Sequence, residues 1–188
     1  MDPMSTIAAI RVVPVVVLDR AEDAVPLAEA LLAGGLPIME ITFRTAAAAE
    51  ALAKVAGLPL VAGAGTVVTP DQVDEAVAAG AAFLVSPGTN EAVIERAKTH
   101  GVPILPGVAD PSDIMRALAL DIDVVKFFPA NILGGSAAIR ALAAPFPTVR
   151  FVPTGGISQD NLADYFAVPA VLAIGGSWMV DRALVEAG

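Results

Sequence analysis

The chain has 188 residues, of which 56% are hydrophobic and 16% charged, with no cysteine, one histidine and a formal net charge of −9. That length suits one domain with one sizeable core, and that composition excludes a disordered or polyelectrolyte chain. No disulfide, thiolate metal site or cysteine nucleophile is available, the usual zinc sites lack their ligands, and an acidic chain without a Lys/Arg cluster is not a nucleic-acid binder.

The first eleven residues carry neither the basic flank nor the cleavage pattern of a signal peptide. The most apolar stretch, 166–180, is interrupted by Pro169, Gly175, Gly176 and Ser177, well short of the ~18 unbroken residues of a spanning helix. A cytoplasmic protein with no membrane partner is expected. No linker or low-complexity tract divides residues 1–188, which read as a single domain. One pattern recurs: a short Val/Ile/Leu-rich run, a turn of small residues, then an Ala-rich amphipathic helix. Strands are expected at 12–18, 38–43, 59–62, 82–86, 102–105, 124–128, 149–153 and 171–174, with helices at 23–34, 46–56, 70–80, 91–100, 111–120, 135–144 and 159–166. A shortened last helix is expected from Arg182. Thr69-Pro70-Asp71-Gln72 combines an N-cap, Pro at the first helical position and a capping-box partner, and Asp110-Pro111 and Ser158-Gln159 are similar starts. Eight strands alternating with helices fit an open doubly wound sheet or a closed (β/α)8 TIM barrel. The first strand is followed by Leu18-Asp19-Arg20 rather than a glycine-rich dinucleotide turn, which favours the barrel.

Barrel enzymes place their chemistry at the C-terminal strand ends and in the loops beyond. On the second strand, Glu40, Thr42 and Arg44 recur at period two and share one side, so Glu40 and Arg44 are expected to point inward. A carboxylate in an apolar interior is costly unless it is paired or used. On the sixth strand, Lys126 stands among Val124, Val125, Phe127 and Phe128. A lysine in mid-strand is rare, and desolvation favours the neutral amine, the form that acts as a nucleophile. A structural ion pair with Glu40 is the competing reading. Gly63-Ala64-Gly65-Thr66, Ser86-Pro87-Gly88 and Pro106-Gly107 read as turns after the third, fourth and fifth strands. Pro153-Thr154-Gly155-Gly156 and Gly175-Gly176-Ser177-Trp178 fall in the last two loops, where barrels bind phosphate through backbone N–H groups and a short extra helix. His100, beside Gly101, reads as a surface residue at a helix end.

These blocks, from VVPVVVLDR and IMEITFRT through VAGAGTV, VSPG, PILPGV and VVKFFPA to PTGGIS and AIGGSW, occur in an order and spacing that resembles the 2-keto-3-deoxy-6-phosphogluconate (KDPG) and 4-hydroxy-2-oxoglutarate (KHG) aldolase family. The resemblance implies Lys126 as the Schiff-base lysine and Glu40 as the general acid/base. It places Arg44, Thr66, Pro87 and Phe128 around pyruvate, and Thr154, Gly155, Gly156, Gly176 and Ser177 around phosphate. It also implies a phosphorylated 2-keto acid substrate, no metal or other cofactor, and a homotrimer. Asn131 stands where relatives often have Glu, and Asp110 where many have Thr or Ser. Within the resemblance, the galactonate stereoisomer of KDPG, or KHG itself, are alternative substrates. From another class, a non-catalytic phosphometabolite-binding barrel or a self-assembling scaffold remains open, because fold alone does not fix function.

Overall fold

The computed structural model describes residues 2–181, 183 and 185. The elements run α1 (Pro3–Ile10), β1 (Val12–Val16), α2 (Ala24–Ala33), β2 (Ile38–Thr42), α3 (Ala48–Val55), β3 (Val61–Gly65), α4 (Pro70–Ala78), β4 (Leu84–Val85) and α5 (Glu91–Thr99). They continue with β5 (Ile104–Leu105), β6 (Gly107–Val108), α6 (Pro111–Ala119), β7 (Val124–Phe127), α7 (Gly135–Ala143), β8 (Arg150–Pro153), α8 (Leu162–Phe166) and β9 (Ile174–Gly176). A 3-10 turn, Trp178–Val180, follows β9. The final helix expected from Arg182 lies largely outside the described residues.

All strand pairs are parallel. Six strands are ordered β5-β4-β3-β2-β1-β9 and three are ordered β6-β7-β8. Pro106 separates β5 from β6 and offers no N–H, but its carbonyl accepts from the Lys126 backbone N–H at 2.9 Å. The run from Ile104 to Val108 therefore meets β4 with its first half and β7 with its second. Isolated parallel bridges join Phe151 to Val171 and Thr154 to Gly175.

Three apolar clusters follow from this arrangement. One takes Val13, Ile38, Val61, Phe83, Leu105 and Val152, among others, from the inner faces of the strands. The other two lie between strands and helices, one beneath α2 to α5 and one beneath α6 to α8. In the latter, Phe127 and Phe151 meet edge to face with ring centroids 6.5 Å apart, and both are fully buried. Burial of each such ring contributes about 2–3 kcal/mol.

Helix starts follow their sequence signals. Thr69 accepts from the Gln72 N–H while the Gln72 side chain accepts from the Val68 N–H. Asp110 accepts from the Asp113 N–H, and the Asp113 carboxylate accepts from the Ala109 N–H. Helix α2 begins at Ala24, so Pro26 sits in its first turn, where no intrahelical donor is lost.

Other expectations are corrected. Helix α1 was not foreseen, although Asp2 caps it by accepting from the Ser5 N–H and Pro3 opens it. Its Ile7 is fully buried and packs against Val13, Ile38 and Val61, residues at or next to the starts of their strands. Strand β3 lies later than expected and contains Gly63 and Gly65, which were read as a turn. Strand β9 likewise absorbs Gly175 and Gly176. In each case the missing side chain makes room for a neighbour's: Phe83 at Gly63, Glu40 at Gly65, Thr154 at Gly175 and Trp178 at Gly176. Ser158 does not cap a helix at residue 159. The Asn161 side chain accepts from the Ser158 N–H and donates to the Gly156 carbonyl, so helix α8 starts only at Leu162.

His100 caps the end of α5, as expected of a surface residue, and reaches Asp74 on α4 at 2.7 Å. Arg96 grips the same carboxylate through two contacts of 2.6 and 2.9 Å. Hydrogen bonds from Arg96 and then His100 lower the Asp74 pKa from 3.8 to about 2. The folded carboxyl is thus the stronger acid. Its contribution to stability is fully present above pH 3.8 and is lost as pH falls toward 2. Asp74→Asn should flatten the stability profile between those limits, as read from urea midpoints at successive pH values. An unchanged profile would show that the cluster does not couple α4 to α5.

Candidate active site

Strands β2 and β7 each present one charged side chain to an apolar interior. Glu40 and Lys126 are 3% and 6% exposed, and Lys126 Nζ lies 3.5 Å from Glu40 Oε1. Both outlooks for the lysine therefore coexist: it is buried in mid-strand, and its neighbour is an acid. Glu40 Oε1 is buried and accepts no hydrogen bond from the described residues, so Lys126 Nζ is its near polar neighbour, and loss of either member would leave a buried charge behind. Phe128 adds a ring face whose centroid is 5.0 Å from Lys126 Nζ. Glu40, Lys126 and Thr154 line one small interior cavity with Ile7, Val13 and Phe83.

The remaining residues occupy the strand ends around that pair. Thr66 follows β3 and holds a left-handed backbone, φ 59°, unusual for a β-branched residue and a mark of a constrained site. Pro87 follows β4, and its carbonyl packs so closely on Gly107 that a Cβ there would approach it to 2.2 Å. Thr154 is buried beyond β8, and Gly155 and Gly156 turn away from it with φ of 99° and 75°. The Thr154–Gly175 bridge brings this turn to the end of β9, where exposed Ser177 leads into the 3-10 turn Trp178–Val180. That turn matches the short extra helix anticipated beside a phosphate.

Arg44 departs from expectation. Period two stops at Thr42, the end of β2, and Arg44 lies exposed in the following turn with its N–H bonded to the Thr42 carbonyl at 2.8 Å. Glu40 accordingly pairs with Lys126 and not with Arg44. Asp110, exposed, is occupied as the cap of α6. Asn131, also exposed, packs under Gly156, where a Cβ would approach it to 2.5 Å. Among the described residues no cluster of three or more His, Asp or Glu side chains is arranged to hold a metal, and no helix is long and apolar enough to cross a membrane.

A lysine buried beside a carboxylate in a parallel α/β fold is the arrangement that a lysine-dependent lyase requires. The family model for KDPG and KHG aldolase matches residues 4–188. The 2-dehydro-3-deoxy-phosphogluconate aldolase of Treponema pallidum (strain Nichols) is 56% identical over 181 residues, 95% of this chain and 86% of that protein. The KHG/KDPG aldolase of Escherichia coli (strain K12) is 45% identical over 179 residues, 94% of this chain and 84% of its own. The crystal structure of Legionella pneumophila KDPG aldolase, with pyruvate captured at low pH as a covalent carbinolamine intermediate, superposes with a TM-score of 0.95 at 41% identity. The match covers all of this chain and 92% of that one. The chain belongs to the KDPG and KHG aldolase family.

Proposed function

We propose that this protein is a class I aldolase that cleaves KDPG to pyruvate and glyceraldehyde 3-phosphate through a Schiff base on Lys126, without a metal or other cofactor. The observation that carries this reading is the buried pair, Lys126 Nζ 3.5 Å from Glu40 Oε1 with both side chains in an apolar interior. Lys126 gives its ammonium proton to solvent and attacks the C2 ketone with the free amine, and loss of water leaves an iminium that can accept an electron pair. Glu40 takes the proton from the C4 hydroxyl, and the C3–C4 bonding pair moves into the C2–C3 bond to give an enamine. The aldehyde departs, Glu40 returns a proton to C3, and water hydrolyses the iminium to free pyruvate.

Thr66, Pro87 and Phe128 surround the pyruvate end in this reading. Arg44, exposed in its turn, closes on the substrate carboxylate with its guanidinium. Thr154, Gly155, Gly156, Gly176 and Ser177 receive the phosphate at the ends of β8 and β9. The strands form one (β/α)8 barrel in a single domain. The Pro106 carbonyl bond, the Phe151–Val171 and Thr154–Gly175 bridges, and the apolar cluster that unites residues of β1 to β5 with Val152 of β8 support that closure. We expect a cytoplasmic homotrimer. Met115 and Ile132, 62% and 83% exposed, are apolar side chains that contacts between copies would cover.

KHG is the second substrate to consider, because the E. coli relative at 45% identity is named for both compounds. Pyruvate release should be followed with a lactate-dehydrogenase couple on KDPG, its galactonate stereoisomer and KHG. KDPG should give the highest kcat/KM. Folded protein that releases pyruvate from none of them would overturn the aldolase reading in favour of a non-catalytic barrel.

A further inference from the structure

Gly65 is the last residue of β3, and its Cα is paired with Thr42 of β2, two residues along from the Glu40–Gly63 pair. The Glu40 side chain leans from its own level toward that of Gly65. A Cβ on Gly65 would lie 2.1 Å from Glu40 Oε1 and 2.7 Å from both Cδ and Cγ. Contacts under 3 Å at three consecutive atoms are a hard clash, and rotation of the carboxylate alone does not clear Cγ. At Gly63 a Cβ would meet the Phe83 ring at 2.4 Å, so the two glycines admit two side chains into one confined space. Phe83 lines the same cavity as Glu40. Lys126 Nζ lies 3.5 Å from Glu40 Oε1 on one side, and the bare Cα of Gly65 bounds the space on the other, so shape helps to set where the carboxylate rests.

We propose that Gly65 is a positioning residue for the reaction, and that its lack of a side chain fixes where the Glu40 carboxylate rests beside Lys126. This inference depends on the aldolase reading and assigns part of its specificity for proton transfer to a residue that touches no substrate. Gly65 is not among the glycines with positive φ, so alanine is compatible with its backbone. Gly65→Ala adds no backbone strain, and the stability it loses comes from the clash with Glu40. What it moves is Glu40, pushed out of the space above β3.

The step to measure is exchange of the pyruvate methyl protons. In the Lys126 iminium, a C3 proton passes to the Glu40 carboxylate. The C–H bonding pair becomes the C2–C3 double bond of the enamine while the iminium π pair returns to nitrogen. In D2O a deuteron then goes back to C3. Four proteins should be compared by NMR: the wild type, G65A, E40A and E40A/G65A. Each is also treated with pyruvate and borohydride to show that Lys126 still forms its adduct. G65A should trap pyruvate normally but exchange it about 100-fold more slowly, the usual penalty for a reacting group misplaced by about an ångström. Alanine at position 40 has neither the Cγ nor the carboxylate that a Cβ on Gly65 would strike. Adding G65A to E40A should therefore slow its residual exchange by less than about threefold.

Equal slowing in both backgrounds would make Gly65 merely structural and overturn the proposal, as would normal exchange in G65A. Loss of the Lys126 adduct in G65A would also overturn it, since the effect would then not pass through Glu40. Wild-type protein that forms no adduct would bring down the aldolase reading itself, and this inference with it.

Discussion

Lys126→Ala should abolish pyruvate release from KDPG, by on the order of 10⁵-fold or more, while the protein remains folded. The size of the effect follows from what the amine does. It forms the covalent bond through which the whole reaction runs, and removal of a covalent nucleophile elsewhere costs rates of that order. Borohydride with pyruvate should label wild-type protein at Lys126, as shown by peptide mapping, and leave the alanine variant unlabelled. The same substitution leaves Glu40 without its cationic neighbour in an interior where each of the two is under a tenth exposed. Some loss of thermal stability should accompany the loss of turnover, because one member of a buried pair is left behind. Near-normal turnover in the variant, or a label on some other residue, would end the Schiff-base proposal.

Glu40→Gln should lower kcat by about 10²- to 10⁴-fold, the usual contribution of a positioned general acid/base. Glutamine keeps the shape of the side chain above Gly65 but cannot take a proton from the C4 hydroxyl or return one to C3. KM should change far less than kcat, and borohydride should still trap pyruvate on Lys126, since attack on the ketone belongs to the amine. A variant that loses trapping and turnover together would show that Glu40 acts on the lysine rather than on the substrate.

Both residues were visible in the sequence for one reason: a charge in the middle of an apolar strand stands out against its neighbours. The caps of α4 and α6 were equally legible, because Thr69-Pro70 and Asp110-Pro111 carry their own local chemistry. The same signal stood at Asp2-Pro3 and identifies α1 once the first residues are read as structure. Strand limits were harder to place around glycine. Gly63, Gly65, Gly175 and Gly176 look like turn residues, but each lies in a strand beside a bulky or long side chain from elsewhere in the chain. Arg44 illustrates the opposite error, in which an alternation is carried past the point where the strand ends. The Asp74–His100 contact joins residues 26 apart on two helices, and no periodicity announces it. Such features depend on which surfaces meet, and a linear pattern records only which side of an element a residue takes.

Ile7 closes the interior at the strand starts, while Lys126, Thr66 and the glycine turns lie toward the strand ends. With Ile7 buried on that side, access is expected from the strand ends, and reactants and products should enter and leave in sequence. During cleavage the three-carbon aldehyde is nearer the exit and leaves while pyruvate is still tethered to the lysine. In the condensation direction the order reverses: pyruvate must be seated before the aldehyde arrives, and an aldehyde that enters first bars its way. Initial-rate measurements of synthesis should accordingly show ordered kinetics, with excess glyceraldehyde 3-phosphate inhibiting competitively against pyruvate. A random-order pattern would mean that the helix at the base is not the seal its buried isoleucine makes it.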